Sequence, residues 1–177
     1  LRIARVSDPG RGTAAIVGGR IRYTPDADAF GEDTFTYVVE DEKGADATAT
    51  VAVNVLPVDD PPRPQDDEAT TDEDTPVDVD VLANDVDPEG GTLRVVRVGN
   101  PSSGTATSTT GGIVRYTPAP DASGTVTFEY TVADPGGAEA SATVTVTVAP
   151  VNDAPVAQPD AYATDEDTAL RVAAPGL

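Results

Sequence analysis

Val126-Thr127-Phe128-Glu129-Tyr130-Thr131-Val132, the tetrapeptide Asp134-Pro135-Gly136-Gly137, and Ala140-Ser141-Ala142-Thr143-Val144-Thr145-Val146-Thr147-Val148 decide the fold of this chain. In both longer runs apolar and polar residues alternate one for one, the period of a strand with one face in a core and the other in water. Val126, Phe128, Tyr130 and Val132 lie opposite Thr127, Glu129 and Thr131. Ala140, Ala142, Val144, Val146 and Val148 lie opposite Thr143, Thr145 and Thr147. The Asp-Pro-Gly-Gly between them has the composition of a turn, so the two runs read as neighbouring strands. Working back towards the N-terminus, similar short runs between turn signals predict strands at 113–117, 104–108, 93–98, 77–82 and 67–71. Seven short strands with a turn every ten residues or so predict an all-β, seven-stranded immunoglobulin-like β-sandwich. Its expected core is Leu82, Leu93, Val95, Ile113, Tyr116, Phe128, Tyr130, Val144 and Val146.

The same residues return at a fixed spacing. Phe128-Glu129-Tyr130-Thr131-Val132-Ala133-Asp134 matches Phe35-Thr36-Tyr37-Val38-Val39-Glu40-Asp41, and Tyr116-Thr117-Pro118 matches Tyr23-Thr24-Pro25. Thr164-Asp165-Glu166-Asp167-Thr168 matches Thr71-Asp72-Glu73-Asp74-Thr75, and Pro150-Val151-Asn152-Asp153-Ala154-Pro155 matches Pro57-Val58-Asp59-Asp60-Pro61-Pro62. Every pair is 93 residues apart, and four matches in one register define tandem repeats of about 93 residues. The expected organisation is the C-terminal part of a first repeat (1–58), a linker (59–62), a complete repeat (63–151), a second linker (152–155) and the N-terminal part of a third repeat (156–177). The cuts fall inside repeats and the first residue is Leu1, so a piece of a longer chain is expected.

Composition narrows the chemistry. The 177 residues include 31 acidic and 11 basic ones, a formal charge of −20, and no Cys, His, Met or Trp. Disulfides, thiolate nucleophiles and Cys-ligated metals are excluded, as is any Ser–His or Cys–His catalysis. Low hydrophobicity with high charge is also the signature of disorder, but the strand alternation is too regular for that. No apolar run is long enough to span a membrane as a helix. The charge repels nucleic acid and anionic lipid alike, so neither nucleic-acid binding nor membrane insertion is expected, and the natural partner is a cation. From Pro57 to Gly91 there are thirteen Asp and Glu against Arg63 alone. Hard cations such as Ca²⁺ take several oxygen ligands, and closely spaced acids on turns present several at once. Asp85-Val86-Asp87-Pro88-Glu89-Gly90 opens like an EF-hand loop, but its twelfth residue is Val96 where that loop needs a Glu.

These motifs, in this order, resemble cadherin-type repeats, in particular the bacterial immunoglobulin-like, cadherin-like tandem repeats of large surface proteins. Pro150-Val151-Asn152-Asp153-Ala154-Pro155 is similar to the cadherin linker, and Glu73-Asp74-Thr75-Pro76-Val77 to its first-strand glutamate motif. Asn84-Asp85-Val86-Asp87 is similar to the Asp-x-Asp motif, and Asp134-Pro135-Gly136-Gly137 to the Asp–Gly turn before the last strand. The resemblance implies calcium bound between successive domains, with ligands from both and from the linker. Carried over by position, the first junction uses Asp59, Asp60, Asp85, Asp87 and Asp134, and the second uses Glu73, Asn152 and Asp153. Asp41 belongs to a junction upstream. The Asp-Arg-Glu motif of animal cadherins has no counterpart, and only the single acids Asp28 and Asp121 lie nearby, so one or two ions are expected at the first junction.

The function expected from this resemblance is a calcium-stiffened structural spacer or adhesion repeat of a large extracellular surface protein, secreted or cell-surface and bacterial. Its partners are calcium, the neighbouring repeats and, in one alternative, a second copy joined head to tail by strand complementation into a filament. A further alternative is a non-catalytic accessory module of a secreted enzyme. Against a carbohydrate-binding role, nearly all aromatics occupy alternating core positions. An enzyme is not expected, because the acids sit in turns and linkers and not in a cleft as paired catalytic carboxylates do.

Overall fold

A computed structural model describes residues 1–156, 158–159 and 161–172, and all regular structure among them is β. A first unit holds β1 (Arg2–Val6), β2 (Gly12–Val17), β3 (Arg20–Pro25), β4 (Gly31–Glu40) and β5 (Asp46–Val55). It forms a β1-β4-β5 sheet and a β2-β3 ribbon. A second unit holds β6 (Asp67–Asp72), β7 (Val77–Asp80), β8 (Arg94–Val98), β9 (Thr105–Ser108), β10 (Ile113–Thr117), β11 (Gly124–Ala133) and β12 (Glu139–Ala149). Its sheets are β6-β12-β11-β8 and β7-β10-β9, seven strands in two layers as the alternation predicts. The pairs are antiparallel except β6 with β12, which run parallel from Val144↔Asp67 to Ala149↔Asp72. The bounds of β4 shifted by 93 fall on those of β11, and β1, β2, β3 and β5 fall likewise on β8, β9, β10 and β12 to within a residue or two.

The core lies between the two layers of the second unit. Val79, Val81, Val114, Tyr116, Val126, Phe128, Tyr130, Val132, Ala142, Val144, Val146 and Val148 are all buried there. Ile113 and Leu93 are not part of it, a correction to the sequence expectation. Ile113 and Tyr116 are three apart and cannot share a face of a straight strand, so Val114 takes the inward position beside Tyr116. Leu82 and Val95 pack only at its margin, while Val79 and Val81 point inward. The strand expected over 77–82 ends at Asp80, although Val81 N still donates to Gly112 O at 3.1 Å. Tyr116 stacks on Phe128 at 6.1 Å, and their repeat equivalents Tyr23 and Phe35 stack at 6.0 Å. The first unit departs from its copy at Asp33, which stands where the second has the buried Val126. Asp33 is 5% exposed, and its carboxylate accepts bonds from Gly10 N, Arg11 N, Thr34 N and the Tyr23 hydroxyl.

Opening strands are expected over 160–172, but residues 161–172 contain none, and Asp160 lies outside the described residues. β6 is a strand because β12 supplies its ladder, and no strand pairs with 161–172 among the described residues. The Thr-Asp-Glu-Asp-Thr turn nonetheless forms twice in the same way. Thr71 Oγ1 donates to Thr75 O and Thr164 Oγ1 to Thr168 O, with Asp74 and Asp167 both at φ 60°. That turn is encoded locally, by an Asp tolerant of the left-handed region and a Thr side chain that closes the loop.

Candidate metal-binding junctions

The turn joining β11 to β12 is built on Asp134. Its Oδ1 accepts from Gly137 N at 2.6 Å and Ala138 N at 2.9 Å, while its own N–H donates to Ala138 O at 3.1 Å. Asp is suited to this position because a short acceptor side chain mimics a backbone turn. Asp41 makes the same turn in the first unit, accepting from Lys43 N and Ala45 N. Asp134 is 1% exposed, and its second oxygen, Oδ2, is buried with no hydrogen-bond partner. A buried carboxylate oxygen left unpaired is costly, so this atom marks a place that a cation suits.

Two more carboxylates reach the same turn. Asp59, from the linker, lies so close over Gly136 that an added Cβ would fall within its carboxylate. Asp87, 8% exposed, comes from the β7–β8 loop, where its Oδ1 accepts from Glu89 N at 2.8 Å. A Cβ on Gly91 would sit 2.8 Å from both Asp87 Oδ2 and Pro135. A side chain at Gly91 would strike the Pro135 ring, and one at Gly136 would displace the Asp59 carboxylate from the turn. Asp59, Asp87 and Asp134, one from each segment, all border this turn, although the group of three described acids whose oxygens lie within 4.8 Å of one another is at the other junction.

The other two residues named for this junction lie apart from that turn. Asp85 Oδ1 accepts from Gln65 N at 2.9 Å and from the Tyr130 hydroxyl at 3.0 Å, and Tyr130 also bonds Gln65 O. Burial pushes the Asp85 carboxyl above the ordinary range, against the opposing effect of those bonds. Burial likewise raises Asp67 beside it, and burial with the Asp85 carboxylate raises the Tyr130 phenol. Asp60 donates its N–H to Glu89 Oε2 at 3.1 Å. It lines a cleft of about 190 Å³ between the units, together with Asp26, Asp28, Leu56, Val58 and Glu89. Arg63 pairs with Asp28 across this boundary.

At the second junction Glu73 is 8% exposed and its Oε1 accepts from Val151 N at 2.5 Å, pinning the linker to the second unit. Asn152 donates to the carbonyl of Asp153. Asp153 gathers with Asp74 and Asp121, carboxylate oxygens of all three lying within 4.8 Å of one another. Asp74 and Asp121 hold backbone φ values of 60° and 54°. Neither is among the ligands that the resemblance implies; the sequence signal for Asp121 is the recurrence of Asp28 at the repeat spacing.

A family profile described as bacterial Ig domain matches residues 1–54 and 59–147, and the chain belongs to that family. Bacterial Ig domains are a non-catalytic type of module. Among solved structures, the human CDH23 EC21-23 fragment is 17% identical over 83% of this chain and 57% of its own, with a TM-score of 0.48. Protocadherin Gamma B2 domains 1-5 give 19% identity, 85% and 34% coverage and 0.44. The endo-fucoidan hydrolase MfFcnA4 gives 16%, 82% and 23%, and 0.38. The chain thus spans less than two thirds of the length of each of these. No curated protein matches it. No helix among the described residues is long and apolar enough to cross a membrane.

Proposed function

We propose that this chain is a stretch of spacer repeats from an extracellular bacterial protein, and that calcium at the repeat junctions makes it stiff. The observation that carries the proposal is the buried, unpartnered Oδ2 of Asp134, with Asp59 and Asp87 around the same turn. Calcium fits this donor set, because it takes six to eight oxygens in irregular geometry, and carboxylates and backbone carbonyls are its usual ligands. At the first junction Asp134, Asp87 and Asp59 hold the ion. At the second, Asp153, Asp121 and Asp74 form a different carboxylate group, with Glu73 fastening the linker to the second unit.

What the ion supplies is charge neutralisation. Carboxylates from linker and domain repel one another when close, so a junction without an ion samples many angles. Binding gathers them on one centre and leaves few. Extracellular modules of this kind bind at roughly 10⁻⁴–10⁻³ M, which makes the stiff state a property of the calcium-rich exterior. A complete repeat contains strands of ten and eleven residues. At about 3.4 Å per residue, each such repeat adds on the order of 40 Å of reach.

The test is a calcium titration by calorimetry, followed by small-angle scattering at both ends. We expect calcium to bind in that range and to lengthen and narrow the particle. Unchanged scattering at saturating calcium overturns the spacer mechanism, and absence of binding overturns the calcium reading itself.

A further inference from the structure

The two junctions are not equivalent, and of the linker residues that differ between them one carries a positive charge. At a spacing of 93, Asp28 corresponds to Asp121, Asp60 to Asp153, and Arg63 to Val156. Asp28 and Asp121 are presented alike, each closing a turn (Ala29 N to Asp26 O, Ala122 N to Ala119 O) and each in the left-handed region, at φ 56° and 54°. At the second junction Asp121 converges with Asp74 and Asp153, and Val156 lies exposed in the place of the arginine. At the first, the Arg63 guanidinium bonds the Asp28 carboxylate. That bond and the charge of Asp28 raise the Arg63 pKa, and Asp60 and Glu89 add to it.

Arg63 is also held in place to do this. Its N–H donates to Val86 O at 2.8 Å and its carbonyl accepts from Val86 N at 3.3 Å, fixing its Cα against the β7–β8 loop. Pro61, Pro62 and Pro64 flank it and restrict the backbone on both sides. A guanidinium is always charged and its planar fork matches carboxylate oxygens, so it substitutes for a metal ion where acids converge.

We propose that Arg63 is a built-in cation that closes the Asp28–Asp60–Glu89 side of the first junction without metal, whereas the equivalent side of the second junction depends on a divalent ion. The second half of this statement rests on the calcium reading above; the first half does not. The first junction keeps a tie between its units when calcium is scarce, and the second loosens. A graded response to calcium along the chain follows, set by which repeats carry Arg at this position.

The chain has no cysteine, so paired nitroxide labels can be placed uniquely by Thr48→Cys on β5 and Glu129→Cys on β11. Electron–electron resonance then reads the distance between the two units in excess EGTA and in calcium. In EGTA we expect Arg63→Val to broaden the distance distribution, Asp28→Asn to broaden it equally, and the double variant to add nothing. Calcium counting by equilibrium dialysis should show that Arg63→Val gains a bound ion and that Val156→Arg loses one. A distribution in EGTA that Arg63→Val leaves unchanged overturns the proposal. If the unaltered chain binds no calcium, the calcium reading fails, while the widths in EGTA still decide whether Arg63 ties the units. If calcium binds but the ion count ignores both substitutions, the guanidinium is not standing in for an ion.

Discussion

Replacing Asp134 by Asn separates a metal ligand from a turn-former, because the two roles predict opposite signs. Asparagine keeps the Oδ1 acceptor that Gly137 and Ala138 use, and converts the unpartnered Oδ2 into an amide NH₂. A buried acceptor without a partner costs about 1–3 kcal/mol, and a charged one more. Without calcium the variant should therefore be more stable than the parent by that order, because the buried charge is removed. For a domain of this size each kcal/mol shifts Tm by roughly 4–8 °C. With calcium the order reverses. At about 10 mM calcium and a Kd of roughly 10⁻⁴–10⁻³ M, linkage stabilises the parent by about 1.4–2.7 kcal/mol. The variant forfeits that increment. Differential scanning calorimetry in EGTA and in calcium reads all four states. A variant that melts like the parent in EGTA and gains as much from calcium would refute the reasoning, leaving Asp134 as a turn residue only.

Three further outcomes follow from individual contacts. Gly136→Ala pushes the Asp59 carboxylate off the turn while its backbone stays in an ordinary conformation, so calcium affinity measured by calorimetry should fall, with Tm in EGTA changed by no more than about 0.5 kcal/mol equivalent. Tyr130→Phe removes the hydroxyl that serves Gln65 O and Asp85 in a fully buried position. It should cost about 1–3 kcal/mol, read as a lower urea midpoint at unchanged m. Asp33 and Asp85 should respond to acid with opposite signs. Burial alone would raise the Asp33 carboxyl, but the bonds from Gly10, Tyr23, Arg11 and Thr34 outweigh it and hold its pKa below the ordinary value. Its contribution is present above the ordinary carboxylate pKa and is lost as pH falls through the depressed one. Amide exchange at Gly10, Arg11 and Thr34 should accelerate across that window, and Asp33→Asn should abolish the pH dependence. Asp67 and Asp85 are raised by burial, so the second unit should gain stability as pH falls from neutral towards the carboxylate range.

The strands were legible because their signal is local: Val126 to Val132 and Ala140 to Val148 alternate without error, and a two-residue period admits one inward face. Ile113 is out of phase with Val114 and Tyr116, so its hydrophobicity alone does not place it inside, and Leu93, just before β8, lies outside the core as a large apolar residue at a strand end can. Strand order was not legible, since the parallel pairing of β6 with β12 joins residues about 77 positions apart. In the candidate site, the place of Asp134 is legible from its turn and that of Asp59 from its linker. The engagement of Asp85 by Tyr130 is not, because it depends on where a β11 side chain ends relative to a loop. The repeat spacing by itself puts Asp28 in register with Asp121, and Arg63 with Val156.

The parallel ladder between β6 and β12 has a mechanical consequence. After the Arg63–Val86 bridge the chain passes into β6, and it leaves the second unit by β12; these neighbours run the same way from Val144↔Asp67 to Ala149↔Asp72. Tension along the polymer therefore drags the two strands past each other lengthwise. The evenly spaced bonds between them carry the load together and do not unzip one at a time. A module wired in this way is loaded in shear along that shared edge when its ends are pulled apart.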